Sequence, residues 1–327
     1  VSVRKPLFRA DHVGSLLRPP ELLEARKKWE AGQLDKQRLK AVEDKAIRDA
    51  IKLQEDAGMP AITDGEFRRE NWWIDFISQL KGVEITAPRA DYGFKTGGQS
   101  SGYQAKGVRT VGKVGRPGDI TVADWKFVQA ATTRLAKMTI PSPTRMHFHG
   151  GRPLIDAKVY PRMDEYWDDV AKVYQDEIAA LEAAGCKYVQ LDDPVLTYLL
   201  DDKQREQARK IGEDPDALVH TYAKLINACI AKRKPDTYVA IHLCRGNARS
   251  SWLSQGSYDR FAEALFPALT VDAWLLEYDD ERSGGFEPLR FMRTEVAVVL
   301  GLITTKVGRM EDKSEIRRRI DQAARFV

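Results

Sequence analysis

Apolar residues recur along this chain in two rhythms. The first is helical. From Leu39, the positions Leu39, Val42, Ile47, Ala50 and Ile51 share a face, and Gly58 marks the stop. A second helix is predicted from about 163 to 184, with Val170, Val173, Tyr174, Ile178 and Leu181 on one side and Gly185 just past its end. A third starts at Asp214-Pro215, an N-cap followed by proline in the first turn, and carries Leu218, Tyr222, Leu225, Ile226, Cys229 and Ile230. A last helix is expected over 312–326. The other rhythm is a short β-rich run after each helix, at 61–64, 188–192, 238–244, 273–277 and 301–305. Adding 12–17 and 138–148 makes seven strand candidates.

Strands that alternate with helices pair in parallel, in either a doubly wound sheet or a closed barrel. Polar residues gather at the C-terminal ends of nearly all these runs: Asp64-Gly65-Glu66, Asp192-Asp193, His242-x-Cys244 and Glu277. A barrel brings every strand end to one mouth, whereas an open sheet concentrates function at one switch point. The glycine-rich first loop of a dinucleotide fold is also missing. The expectation is therefore an α/β chain of the TIM (β/α)8-barrel type, a single catalytic domain over 1–327. An eighth strand would fall beyond Val327. The stretch 81–118 breaks the repeat with many glycines, the aromatics Tyr92, Phe94 and Tyr103, and the alternation Gly107-Val108-Arg109-Thr110-Val111. It reads as a loop-and-hairpin insertion near the mouth, after the second βα unit.

Composition narrows the class. Of 327 residues, 52 are Lys or Arg and 48 are Asp or Glu, a formal charge of +4 with both signs interleaved, which favours neither nucleic acid nor a membrane surface as partner. No apolar run reaches the roughly 18 residues of a membrane span. Arg4, Lys5 and Arg9 have no apolar stretch behind them, so no signal peptide is expected. Three cysteines, Cys186, Cys229 and Cys244, are too few for a disulfide framework and suggest a reducing, cytoplasmic setting.

His242-Leu243-Cys244 is the strongest chemical signal. Two residues apart on a strand, imidazole and thiolate point to the same side and can hold one cation, zinc being suited to mixed N/S ligands. A buried cysteine beside a hydrogen-bonded histidine is the plainer alternative. Glu277, at the next strand end, adds a carboxylate to the set. Asp192 and Asp193 point to opposite sides, so only one faces the mouth, taken here to be Asp192; an Asp-Pro turn or helix cap is the competing reading. Glu66 shares that ambiguity, and the two carboxylates together suit a substrate ammonium. His12-Val13-Gly14-Ser15 permits close backbone approach and offers the Ser15 hydroxyl to a carboxylate, or is a plain turn. His147 and His149 are read as supporting or loop histidines. Trp72, Trp73 and Trp125 are read as wall or core, and Arg317-Arg318-Arg319 as the solvated face of the last helix. P-loop, G-x-S-x-G and H-E-x-x-H patterns are absent.

In order, Asp11-His12-Val13-Gly14-Ser15, Asp64-Gly65-Glu66, Leu191-Asp192-Asp193-Pro194, Ile241-His242-Leu243-Cys244 and Leu276-Glu277 resemble the catalytic barrel of cobalamin-independent methionine synthase. The likeness is to its short, single-barrel branch, and it runs from about residue 8 to the end. It implies zinc held by His242, Cys244 and Glu277, with the family's second cysteine ligand on the eighth strand. It implies homocysteine bound by Ser15, Glu66 and Asp192. It sets Lys306 where the family usually has a proton-delivering histidine, so Asp192 and Lys306 are the expected catalytic groups. The reaction implied is methyl transfer to the homocysteine thiol, from a methylated folate or a methyl-corrinoid protein. Three alternatives stay open: zinc-dependent alkylation of another small thiol, a metal-free barrel like uroporphyrinogen decarboxylase, and a non-catalytic amino-acid or thiol sensor.

Overall fold

The computed structural model describes residues 9–87, 93–96, 99–104, 106–248 and 250–327. Arg4, Lys5 and Tyr92, singled out above, lie outside the described residues. Six strands form one parallel sheet in chain order: β1 (Ala61–Ile62), β2 (Leu135–Pro141), β3 (Tyr188–Asp192), β4 (Tyr238–Leu243), β5 (Ala273–Glu277) and β6 (Ala297–Gly301). All five pairings are parallel, so the chain returns each time through a helical crossover and the sheet curls as an incomplete barrel.

The periodic helices form where their apolar stripes fall, over Lys36–Asp56, Met163–Ala184, Pro215–Ile230 and Lys313–Ala323. Their ends follow local chemistry. Asp214 caps the third by accepting the Asp216 N–H, and Gly185 ends the second in the left-handed conformation at φ 106°. The helices bury those stripes against the outer face of the sheet, where Ile62, Ile140, Val189, Leu191, Val239, Ile241, Trp274 and Leu276 belong to the main core. The inner face has its own small cluster of Ala61, Tyr188, Tyr238, Ala240, Ala273 and Leu275. Period-two alternation therefore sends Lys137, Thr139, Gln190, Asp192 and His242 to that same inner side.

Three predicted strands need correction. The run 12–17 is no regular strand; it makes a single parallel bridge, Ser15 to Gly65. Its carbonyls are taken by side chains instead of a ladder. Lys137 Nζ donates to His12 O at 2.5 Å, Gln190 Nε2 to Val13 O at 2.8 Å and Thr63 Oγ1 to Gly14 O at 2.7 Å. Gly14 adopts φ 104° there, and an added Cβ would lie 2.7 Å from Thr139 Cγ2. The run 138–148 is really Leu135–Pro141 followed by a 3-10 turn at Pro143–Met146, because two prolines remove ladder donors. The run 301–305 shifts back to Ala297–Gly301, whose register places Gly301 opposite Glu277. Beyond it the Thr304 N–H is taken by Glu311 at 2.9 Å, so no strand continues.

Within 81–118, Lys81–Ile85 pairs antiparallel with Val108–Gly115, and Gly93–Thr96 with Gln99–Gln104. Helices at Pro20–Glu30 and Val122–Ala131 and several short ones after the strands were not anticipated from the pattern.

Candidate active site

The strand ends carry two neighbouring groups of side chains. The first surrounds Glu66 and Asp192. Glu66 follows Gly65, and both have positive φ, 62° and 66°, a conformation rare for a residue with a Cβ and often kept at functional positions. The loop is held there by Arg18, which donates to the carbonyls of Glu66 at 2.9 Å and Arg69 at 3.0 Å, and by Arg26 on the carbonyls of Phe67 and Arg69. Buried Arg69 binds Glu66 Oε1 at 3.2 Å and Thr139 O at 2.6 Å, and Thr139 Oγ1 adds a 3.3 Å contact to the same carboxylate oxygen.

Asp192 ends β3 on the inner face. Its Oδ1 accepts from Gln190 Nε2 at 2.6 Å, while Oδ2 is buried with no hydrogen-bond partner. Burial, then the neighbouring Glu66 charge, push its pKa up to about 8. Asp193 points the other way. It caps the helix Pro194–Tyr198 through the Leu196 N–H and accepts from Thr144. Asp192 thus faces inward, as the alternation reading has it, while Asp193 makes the helix cap that the competing reading offered for this Asp-Pro run. Ser15 is exposed beside Gly65 at the same rim.

The second group belongs to the ends of β4 and β5. His242 is the register partner of Asp192, one strand over. Its Nδ1 is buried without a hydrogen-bond partner, and burial first, then the charges of Lys137 and Lys306, depress the imidazole to about 3. Burial followed by the Glu277 charge pushes the Cys244 thiol up to about 12. Glu277 Oε2 accepts the Arg245 N–H at 3.0 Å; Oε1 has no hydrogen bond and lies 3.7 Å from Arg282. Burial raises its pKa, opposed by Lys306. Lys306 lies beyond β6 rather than at its end. It reaches back to donate from Nζ to Gly246 O at 3.3 Å, so its charge bears on His242, Cys244 and Glu277 together.

Imidazole nitrogen, thiol sulfur and carboxylate oxygen suit zinc, and the nitrogen and oxygen lone pairs of His242 and Glu277 are unpartnered. The donors fit in kind and in strand position. As the side chains stand, no group of three His, Cys, Asp or Glu among the described residues is arranged to hold a metal ion. Glu277 is turned instead to Arg245 and Arg282.

Residues 8–327 match the catalytic domain of the cobalamin-independent synthases. The chain belongs to that family. Membership makes it an S-methyltransferase in reaction class and sets aside the metal-free decarboxylase-like barrel. It is 41% identical over 326 residues to YxjH of Bacillus subtilis, an uncharacterised protein, covering 99% of this chain and 85% of that one. It is 25% identical to a 5-methyltetrahydropteroyltriglutamate–homocysteine methyltransferase from Synechococcus, over 86% of this chain and 33% of that protein's length. Among solved structures, a candidate vitamin-B12-independent methionine synthase from Listeria monocytogenes superposes with TM-score 0.78 at 33% identity, covering 98% of this chain and 87% of that one. A B12-independent methionine synthase from Shewanella, solved with selenomethionine, shares the fold at TM-score 0.66 and 22% identity, over 90% and 80% of the two chains.

Within this synthase domain the pattern reading missed Arg69, Lys137 and Gln190. Lys137 and Gln190 have the inner-face parity of Thr139 and Asp192, a signal visible in the sequence; Arg69 sits on an irregular loop and gave none. His147 is a supporting residue as expected, with Nδ1 2.9 Å from the Tyr222 hydroxyl and Nε2 3.3 Å from Glu213. Trp73 and Trp125 are core. Cys186 and Cys229 are buried and free, and burial raises the Cys186 thiol to about 12.

Proposed function

We propose that this chain is a zinc-dependent methyltransferase acting on the thiol of homocysteine to form methionine, with a methylated folate or a methyl-corrinoid protein as donor. The observation that carries the reading is the pairing of Asp192 with His242 in the β3–β4 register. A carboxyl suited to an ammonium therefore stands one strand, about 4.8 Å, from donors suited to a metal. An α-amino acid with a short thiol arm presents the same two chemistries at its two ends. The paired Glu66 and Asp192 favour it over a thiol without an amino group.

His242, Cys244 and Glu277 would hold the zinc, which when bound would supply Lewis acidity to a thiol of ordinary pKa near 8.5. The chain's own residues do the rest. Arg69 holds the Glu66 carboxyl in place through a 3.2 Å hydrogen bond. An incoming ammonium lets Asp192 ionise and release its proton. Ser15 holds the substrate carboxylate at the rim. The homocysteine sulfur forms a bond to the methyl carbon as the donor's bond to that carbon breaks. When the donor is a folate, its leaving nitrogen takes a proton, and Lys306 is the group assigned here to deliver one or to anchor the anion. The three unpaired thiols accord with a reducing compartment such as the cytoplasm. No helix among the described residues is long and apolar enough to cross a membrane.

The test is metal analysis together with methionine formation from homocysteine, using methyltetrahydrofolate or methylcobalamin. Wild-type protein is expected to carry zinc and turn over with one donor, and Cys244→Ser to lose both. Stoichiometric zinc and full activity in the variant would sink the reading.

A further inference from the structure

We infer that Gln190 is the positioning residue that ties the amino-group site to the carboxylate site, making selection of an α-amino acid a property of one connected unit. The inference rests on the proposed amino-acid thiol substrate and names what sets its specificity. Gln190 lies fully buried in the middle of β3 on the inner face. Its amide nitrogen donates to two acceptors, Val13 O at 2.8 Å and Asp192 Oδ1 at 2.6 Å. Both partners are acceptors, so the nitrogen rather than the oxygen must face them, which fixes the orientation of the amide.

Two consequences follow from that geometry. Holding Oδ1 leaves the other carboxyl oxygen of Asp192, buried and unpartnered, as the one free to meet a substrate N–H. Holding Val13 O secures the segment that carries Ser15, two residues on. The neighbouring tethers, Lys137 on His12 O and Thr63 on Gly14 O, hold the same segment without a hydrogen bond to Asp192. Gln190 is thus the tether bonded to both halves, and it spaces the hydroxyl that receives the carboxylate from the carboxyl that receives the ammonium.

The experiment compares Gln190→Met, similar in length and without donors, with Thr63→Val, which loosens the segment alone. Binding of L-methionine and of its des-amino analogue, 4-(methylthio)butanoate, is measured by calorimetry on each folded protein. Wild type is expected to prefer L-methionine. Gln190→Met should weaken L-methionine by about 10- to 100-fold more than the analogue, which loses only the segment tether and so weakens about as Thr63→Val makes it, the difference being the loss of a hydrogen bond to a charged group. Thr63→Val should weaken both ligands alike. Equal losses for the two ligands in Gln190→Met, or no loss, would overturn the inference; no binding of either ligand to wild type would overturn the substrate reading itself. Should Gln190→Met not fold, Gln190→Asn, too short to bridge both acceptors, is read by the same ratio.

Discussion

Replacing Asp192 by asparagine should stabilise the protein while removing its grip on an amino group. The carboxyl's ordinary pKa is 3.8, and burial beside Glu66 lifts it to about 8. Between those values the unfolded chain has released the proton and the folded chain still holds it. Stability is therefore unpenalised below about pH 4, falls as pH rises through the window, and stays reduced above about pH 8, with a slope of at most about 1.4 kcal/mol per pH unit. Roughly three units accumulate by pH 7, a ceiling of about 4 kcal/mol. Asparagine does not titrate and keeps an oxygen for the Gln190 N–H now 2.6 Å from Oδ1. Its own NH2 replaces the unpartnered Oδ2, and burying that donor offsets part of the gain, leaving about 1–3 kcal/mol at pH 7. Urea unfolding of both proteins at pH 5, 6, 7 and 8 measures this. The advantage of the variant should be small at pH 5 and widen with each step. Parallel curves, or a variant less stable at pH 7, would show that Asp192 is not the strained carboxyl described above.

Two further substitutions test the frame. Gly14→Ala places a Cβ 2.7 Å from Thr139 Cγ2 at φ 104° and should cost about 1–3 kcal/mol, seen as a lower melting temperature; an unchanged melting temperature would mean the segment 12–15 is not held as described. Arg69→Met removes the guanidinium from Glu66 and from Thr139 O and leaves a buried carboxylate uncompensated, a loss of about 3–5 kcal/mol in unfolding free energy. A loss below 1 kcal/mol would show that Glu66 reaches solvent.

Particular residues show how far a pattern reading extends. The span of Met163–Ala184 and the start of Pro215–Ile230 were legible because a glycine stop adjoins the first apolar stripe and an Asp-Pro cap opens the second. His242, Cys244, Glu277 and Asp192 could be read as inward-facing because parity on a strand decides which side chains face inward, whereas Glu66 sits on a loop at φ 62°, where parity has no hold. The segment 12–17 was misread because its backbone bonds come from Lys137, Gln190 and Thr63, up to 177 residues away. The last strand was misplaced within the run Val296–Ile303, because it is apolar or glycine throughout, any five-residue window reads as a strand, and only pairing with β5 selects one.

The sequence by itself determined the alternating architecture, the inward-facing parity of the strand residues and the chemical kinds gathered at one rim, since each follows from periodicity and local capping. The tertiary structure alone decided which strand register sets Asp192 against His242, how Arg69 and Gln190 tie the carboxyls to their neighbours, and that Glu277 turns toward Arg245 and Arg282. Those outcomes depend on burial and on charges brought together from distant parts of the chain. Desolvation and Coulomb energies are properties of the assembled interior, and no local segment carries them.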